Sequence, residues 1–226
     1  MAVGIQAVIW DMDGVLVDTG EAHYQAWRQV LAEEGVFFSP DEFRRTFGMN
    51  NTSILEMLFG DLPDPISLQR IGDRKEALFR SFMRGNTAPM PGVLHWLRRL
   101  QQRYIPQAVA SGAPQENIEF LVDEMGIRSY FTALVSSDGM PGKPNPMIFL
   151  EAARRLGVPP HKCVVVEDGL PGLQAAQSAG MRCIGVTTTH PAGALILADR
   201  VVERLDDLPD DGFDVLIEAG SGAPED

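Results

Sequence analysis

The sequence predicts an α/β protein in which a parallel sheet carries helices on both faces and a helical module follows the first strand. From residue 93 onward, short runs rich in Val, Ile and Ala alternate with segments of helical periodicity, as in strands joined by crossover helices. Between residues 20 and 88 only helical periodicity occurs. Thirdly, the apolar run Val8-Ile9-Trp10 stops at Asp11, with Asp13 two residues on and Gly14 next. A buried strand ending this way delivers carboxylates to its carboxyl end, where open α/β sheets place their ligands.

The elements follow in order. Asp11 and Asp13 flank Met12, so strand geometry leans both acids to one side. They repel unless a cation or a shared proton intervenes, and an oxygen-rich site of this kind suits Mg²⁺. After a short apolar segment at 15–17 and a turn at 18–20, residues 21–34 place Ala26, Trp27, Val30 and Leu31 on one helical stripe, with Gly35 as the stop. Ser39-Pro40-Asp41-Glu42 opens a second helix with proline at its first position and an acidic first turn. Residues 50–59 and 66–83 read as two more, separated by a stretch of Gly, Asp and Pro. Pro89-Met90-Pro91-Gly92 then returns the chain to the sheet.

Residues 93–102 read as a helix burying Leu94, Leu97 and Leu100. Strands are expected at 105–110, 133–135, 163–166 and 184–186, and helices at 114–125, 146–156 and 171–179. The tail from 206 is acidic and rich in Gly and Pro, and its end from 219 is expected to fray. The domain reading is a core of residues 1–18 and 89–226 with a helical cap at 19–88. Its two junctions make a double hinge, and the cap lies over the strand ends as a lid.

The chain has 226 residues, 45% hydrophobic and 22% charged, the composition of an ordinary globular protein with material for a core. A net charge of −12 disfavours nucleic acid and anionic membrane as partners and requires any phosphate site to create positive potential locally. No basic segment followed by an apolar secretion stretch opens the chain, and no run approaches bilayer length. A cytoplasmic protein is the expectation. Cys163 and Cys183 border apolar runs without metal-ligand spacing and read as reduced core thiols.

Parallel strands bring their carboxyl ends to one edge. There the sequence supplies Asp11 and Asp13, then Ser111–Gly112, then Lys143 in a Gly142-Lys143-Pro144 loop, then Glu167–Asp168. Singly, each has an ordinary reading: Asp-x-Asp-Gly as a turn, Ser111 as a helix cap, Lys143 as a loop cation, Glu167–Asp168 as a favourable helix start. Jointly they suit phosphoryl transfer. Asp11 would attack phosphorus, and Asp13 would protonate the departing alcohol and then deprotonate water. Mg²⁺ would be held by Asp11, the Asp13 carbonyl and Asp168, supported by Glu167. Ser111, Gly112 and Lys143 would bind the phosphate oxygens.

Asp11-Met12-Asp13-Gly14-Val15-Leu16-Val17-Asp18-Thr19, Ala110-Ser111-Gly112, Gly142-Lys143-Pro144 and Val166-Glu167-Asp168-Gly169 stand in order at strand ends. In this the chain resembles the haloacid dehalogenase superfamily over about residues 5–205, in the helical-cap subfamily of β-phosphoglucomutase-like sugar and metabolite phosphatases. The resemblance implies a Rossmann-like core, Mg²⁺ as cofactor, a phosphoaspartate intermediate and a small phosphate ester as partner. Dehalogenases proper lack the second acid of the first motif, so Asp13 points to the phosphatase or mutase branch.

His23-Tyr24-Gln25-Ala26-Trp27 is similar to a His-x-x-Ala-Trp run of mutase-like members, which implies that His23 and Thr19 couple the cap to Asp13. Trp27 itself reads most simply as core beneath the cap. Where the mutase cap presents a lysine and an arginine, this chain has Phe47-Gly48-Met49-Asn50-Asn51, and its serine–lysine–asparagine run is replaced by Ala113-Pro114-Gln115. Losing those distal phosphate anchors costs on the order of several kcal/mol of charge-assisted binding. A phosphatase is therefore favoured, with Gly48, Asn50 and Asn51 in a cap loop suited to a neutral sugar or polyol. Arg44 and Arg45 lie nearby as substitutes. The alternatives are a phosphomutase and a non-catalytic binding protein on the same fold. A monomer or weak homodimer is expected.

Overall fold

A computed structural model describes residues 5–46, 49–60, 64–214 and 216. At its centre β1 (Ala7–Trp10) is buried along its whole length. Such a strand needs apolar side chains on both faces, and Ala7-Val8-Ile9-Trp10 supplies them. Six strands, all parallel, lie in the order β3-β2-β1-β4-β5-β6: β2 (Gln107–Ser111), β3 (Ala133–Ser136), β4 (Cys163–Glu167), β5 (Arg182–Val186) and β6 (Arg200–Val202). Trp10 registers with Val109 on one side and Val166 on the other. The strand order runs outward from β1 in both directions, so the crevice between diverging connections opens beside β1.

Alternate residues of β1 feed two cores. Val8 and Trp10 face a cluster containing Trp96, Leu97 and Phe213, whereas Ala7 and Ile9 face Ile148, Phe149 and Leu173. The Trp10 indole N–H donates to the buried Gln107 Oε1 at 3.0 Å, and Gln107 donates to the Leu97 carbonyl at 3.0 Å. The polar edge of the indole is thereby satisfied within the core. Helix α5 (Val93–Gln102) buries Val93, Trp96, Leu97 and Leu100. Leu94, expected in its buried stripe, is only half-buried because the stripe centres on Trp96. Helices α6 (Gln115–Glu124), α7 (Met147–Leu156) and α8 (Leu170–Ser178) complete the layers.

Two strand starts shift, β5 opening at Arg182, two residues before its reading, and one strand goes unread. β2 begins at Gln107, because Ile105 closes helix α5 by donating its N–H to the Leu100 carbonyl, and it runs on through Ser111. The sixth strand, β6, has three residues, too few for alternation to register.

Between β1 and β2 the chain forms α1 (Gly20–Glu33), α2 (Pro40–Thr46), α3 (Asn51–Phe59) and α4 (Pro65–Met83), with no strand among the described residues of this stretch. Trp27, Val30 and Leu31 of α1 pack in one cluster with Ile71, Leu78 and Phe79 of α4. Entry and exit lie side by side: the Met90 N–H donates to the Leu16 carbonyl at 2.9 Å, and Val17 bridges to Pro89. No described helix is long and apolar enough to cross a membrane.

Candidate active site

The first strand hands its chain to a tight turn. Asp11 still donates its N–H to the Val166 carbonyl at 3.0 Å, and the N–H groups of Leu16 and Val17 return to the Met12 carbonyl. Gly14 holds φ +79° in that turn, and a Cβ there would lie 2.0 Å from Asp168 Oδ2. Glycine therefore serves twice, by adopting the left-handed backbone and by letting the loop close against Asp168.

Three acids meet where β1 and β4 end. Ligand oxygens of Asp11, Glu167 and Asp168 all lie within 4.8 Å of one another. Lys143 reaches in from the loop after β3, donating to Asp11 Oδ1 at 2.5 Å and to Glu167 Oε1. The second Glu167 oxygen accepts the backbone N–H groups of Asp168 and Gly169, both at 2.9 Å. Glu167 is thus an anchor for Lys143 and for the loop as well as a member of the acid group. The first turn of α8 approaches it closely at Gly172, where a Cβ would fall 1.8 Å from Glu167 Oε1.

The charge balance of this cluster is incomplete. Burial, with Glu167 and Asp13 adding to it against the opposing pull of Lys143, raises the Asp11 carboxyl to about 8. Burial followed by Glu167 and Asp11 raises Asp168 to about 9. Burial works against the Lys143 ammonium, yet Asp11 and Glu167 more than offset it and drive its value upward. Asp168 Oδ2 is buried with no hydrogen-bond partner among the described residues. An unpartnered carboxylate oxygen in an all-oxygen acid group short of positive charge fits a hard divalent cation such as Mg²⁺.

The Asp13 side chain turns away from this group. Its Oδ1 accepts from Thr19 Oγ1 at 2.6 Å and lies 3.3 Å from His23 Nε2, while Ser111 Oγ is 3.4 Å from Oδ2. Burial alone would raise this carboxyl, but the hydrogen bond from His23, then Thr19 and the Lys75 charge, hold it down at about 2. Burial and the neighbouring Lys75 lower His23. His23 Nδ1 lies 2.9 Å from Lys75 Nζ. An ammonium only donates, so Nδ1 is the acceptor and Nε2 carries the proton directed at Asp13.

Ser111, the last residue of β2, also receives the Ala113 N–H at 3.0 Å, and the Gly112 carbonyl accepts from Ser137. A cavity of about 920 Å³ lies between these strand ends and the inserted helices, lined by Asp11, Asp13, Gly112 and Lys143 below and by Trp27, Met49, Asn50 and Asn51 above. Asn50 caps α3 by accepting the Ser53 N–H at 2.9 Å, and its amide nitrogen approaches Gly142. Asn51 donates to Glu76 at 2.7 Å. Trp27 is buried, as a core residue should be. Gly48 and Phe47 lie outside the described residues. Arg44 and Arg45 are exposed, and Arg44 pairs with Asp41 instead of entering the cavity.

Sequence reasoning missed Lys75 and Glu76 on α4 and Asn117 on α6, all buried. Lys75 donates to Glu76 Oε1 at 2.9 Å, Asn117 to Glu76 Oε2 at 2.5 Å, and Arg80 to Asn117 Oδ1 at 2.7 Å. Lys75 also sits over the Trp27 and Phe79 rings, and Phe79 stacks on His23 with centroids 4.0 Å apart. One signal was available. Lys75 occupies the apolar stripe Ile71–Leu78–Phe79 at i+4, an odd place for a solvated lysine.

The profile of haloacid dehalogenase-like hydrolases matches residues 5–180. Escherichia coli fructose-1-phosphate phosphatase is 36% identical over 190 residues, covering 79% of this chain and 95% of its own. A chloroplastic 5-amino-6-(5-phospho-D-ribitylamino)uracil phosphatase of Arabidopsis thaliana is 32% identical over 211 residues, 92% of this chain, which spans 57% of that protein's length. The crystal structure of β-phosphoglucomutase from Clostridium difficile superposes with a TM-score of 0.87 at 25% identity, covering 97% of this chain and 100% of that one.

Proposed function

The chain belongs to the haloacid dehalogenase-like hydrolases, and from that premise we propose that it is a Mg²⁺-dependent phosphatase of a small sugar or polyol phosphate, working through phospho-Asp11. The observation that carries this reading is the convergence of Asp11, Lys143, Glu167 and Asp168 at one strand edge, with Asp13 turned toward Thr19, His23 and Ser111. Its E. coli relative acts on fructose 1-phosphate by name, and the substrate class follows that lead.

Asp11 is the nucleophile. Its carboxylate attacks phosphorus as the bond to the ester oxygen breaks, leaving an acyl phosphate on Asp11. Lys143 holds Asp11 in place and meets the phosphate oxygens with Ser111 and Gly112. Bound at Asp11, the Asp13 carbonyl and Asp168, with Glu167 in support, Mg²⁺ would neutralise the negative charge that gathers as carboxylate and phosphate approach. A phosphate dianion beside Asp13 favours its protonated form by like-charge repulsion. Asp13 then donates that proton to the departing alkoxide. Returned to the carboxylate that Thr19 and His23 stabilise, it takes a proton from the water that attacks the acyl phosphate.

Hydrolysis is favoured over mutase chemistry by the far wall of the cavity. Its cations other than Lys143, among the described lysines and arginines, are Lys75, bonded to Glu76 and His23, and Arg80, bonded to Asn117 and paired with Glu116. Glu56 and Asp73 of the inserted helices also line the cavity, as does Asp138 of the loop after β3. A second phosphate would meet spent cations and surplus acids, whereas a neutral polyol meets Met49, Asn50 and Asn51. We place the enzyme in the cytoplasm as a monomer or weak homodimer, consistent with two buried free cysteines.

A panel of phosphate esters assayed with Mg²⁺, using wild type and Asp11→Asn, tests the reading. Phosphate release from sugar or polyol monophosphates that vanishes in the variant supports it. Conversion of β-glucose 1-phosphate to the 6-phosphate with little free phosphate would instead favour the mutase, and inactivity across the panel the non-catalytic alternative.

A further inference from the structure

We propose that Thr189 and His190, in the loop after β5, position Asp168 for a divalent cation by holding its backbone carbonyl; this inference rests on the reading of Asp168 as a ligand of the Mg²⁺ site. The sheet register makes the contact possible. Glu167 of β4 stands opposite Gly185 of β5, so the chain beyond β5 passes beside Asp168. That loop is tied down where it leaves the sheet, because the Thr187 N–H donates to the Val202 carbonyl of β6 at 3.0 Å. Pro191 follows His190 and restricts its backbone to extended conformations.

Two side chains of the loop converge on one acceptor. The Thr189 hydroxyl donates to the Asp168 carbonyl at 2.9 Å, and His190 Nδ1 lies 3.2 Å from the same oxygen. A carbonyl only accepts, so Nδ1 carries the proton, and the Thr189 oxygen 2.9 Å away shares it while donating its own. Both lone pairs of the carbonyl are thereby used. On the other side of the residue, the Asp168 N–H donates to Glu167 Oε2 at 2.9 Å. The main chain of Asp168 is thus held before and after its Cα, while Oδ2 of its buried carboxylate has no hydrogen-bond partner among the described residues. That oxygen lies against Gly14, in the turn that follows Asp11 and Asp13. Gly169 comes next in the chain, and a glycine by itself leaves the preceding peptide free to rotate. The loop after β5 supplies the missing restraint. Groups that hold a metal ligand from behind set its affinity by about 10- to 100-fold. Thr189 is exposed and His190 half-buried, so neither supports the core, and trimming them leaves its packing intact.

Mn²⁺ binding to the full chain stripped with chelator, followed by the electron-spin resonance of the free ion, tests this strap without turnover. Wild type is compared with Thr189→Val and His190→Ala, singly and together, which remove the two donors. Thr189→Ser and His190→Asn keep a hydroxyl and an N–H at the same reach. The strap predicts a Kd raised about tenfold or more in the double variant, values within about twofold of wild type in the two conservative variants, and an unchanged urea midpoint in chelator for all. If the double variant fails to fold, the single variants carry the comparison, each with a Kd raised about threefold or more. Smaller losses, or equal losses in the conservative variants, overturn the strap while leaving the phosphatase reading intact. A wild type that binds Mn²⁺ no better than Asp168→Asn overturns the reading of Asp168 as a ligand, and the strap with it.

Discussion

Lys143→Met removes the ammonium that the acid cluster holds while keeping an unbranched side chain. In the native protein Lys143 donates to Asp11 and Glu167 at 9% side-chain exposure. Removing one partner of a buried ion pair costs about 3–5 kcal/mol when the remaining charge has no outlet. Here an outlet exists, because Asp11 at about 8 and Asp168 at about 9 take up protons readily. Each further unit of pKa elevation costs about 1.4 kcal/mol once pH exceeds the raised values, so the variant should lose about 2–3 kcal/mol near pH 10 without Mg²⁺.

The sign with pH follows from those raised values. A carboxyl raised above its unfolded value of 3.8 contributes fully below that pH and loses its contribution as pH rises through about 8 to 9. Removing Lys143 raises these carboxyls further, so the gap between variant and wild type is level while both hold their protons and widens as pH rises past about 8 to 9. Urea unfolding in chelator at about pH 6 and about pH 10 measures it. Loss of the charge-assisted contact should also lower kcat/KM about 10- to 150-fold. A stability loss below about 1 kcal/mol at the higher pH, or one larger at the lower pH, would refute the assignment of Lys143 as the cluster's counter-charge.

Asp13→Ala should lower kcat on a sugar phosphate by about 10²–10⁴, read by phosphate release; a loss under about tenfold contradicts its role as acid and base. Because burial holds Asp11 and Asp168 partly protonated near neutrality, Mg²⁺ binding should expel protons. Titration calorimetry in two buffers of different ionisation enthalpy detects that release, and identical heats would contradict it. Gly14→Ala places a Cβ 2.0 Å from Asp168 Oδ2 at φ +79°, so thermal unfolding should show a loss of about 1–3 kcal/mol together with weaker Mg²⁺ binding. A variant with native stability would show that the turn yields more easily than its geometry implies.

The parts of the molecule that the sequence makes legible are those where polarity changes abruptly along the chain. Val8-Ile9-Trp10 stopping at Asp11, and Val164-Val165-Val166 stopping at Glu167, announce both a buried strand and its ligand end. The inserted helices are legible because apolar stripes such as Ala26, Trp27, Val30 and Leu31 keep a helical period. What stayed hidden depends on partners far along the chain. Lys75 and Glu76 look like a solvated pair on a helix until α1 supplies His23 and α6 supplies Asn117. Asp13 and Asp11 look equivalent, and only His23 and Thr19 beside the one, and burial with Glu167 beside the other, separate an acid near 2 from one near 8. The short β6 carries no period to read. Arg44 and Arg45 were credible cavity cations by proximity, yet their helix turns them to solvent.

The central claim is that Asp11 carries the phosphoryl group. A radiophosphorus-labelled sugar phosphate mixed with excess enzyme and Mg²⁺, acid-quenched within the first turnover and digested, tests it directly. The mechanism predicts label on the peptide containing Asp11, released by hydroxylamine as an acyl phosphate should be, and none in Asp11→Asn. Turnover without protein-bound label, or label on any other residue, would contradict it.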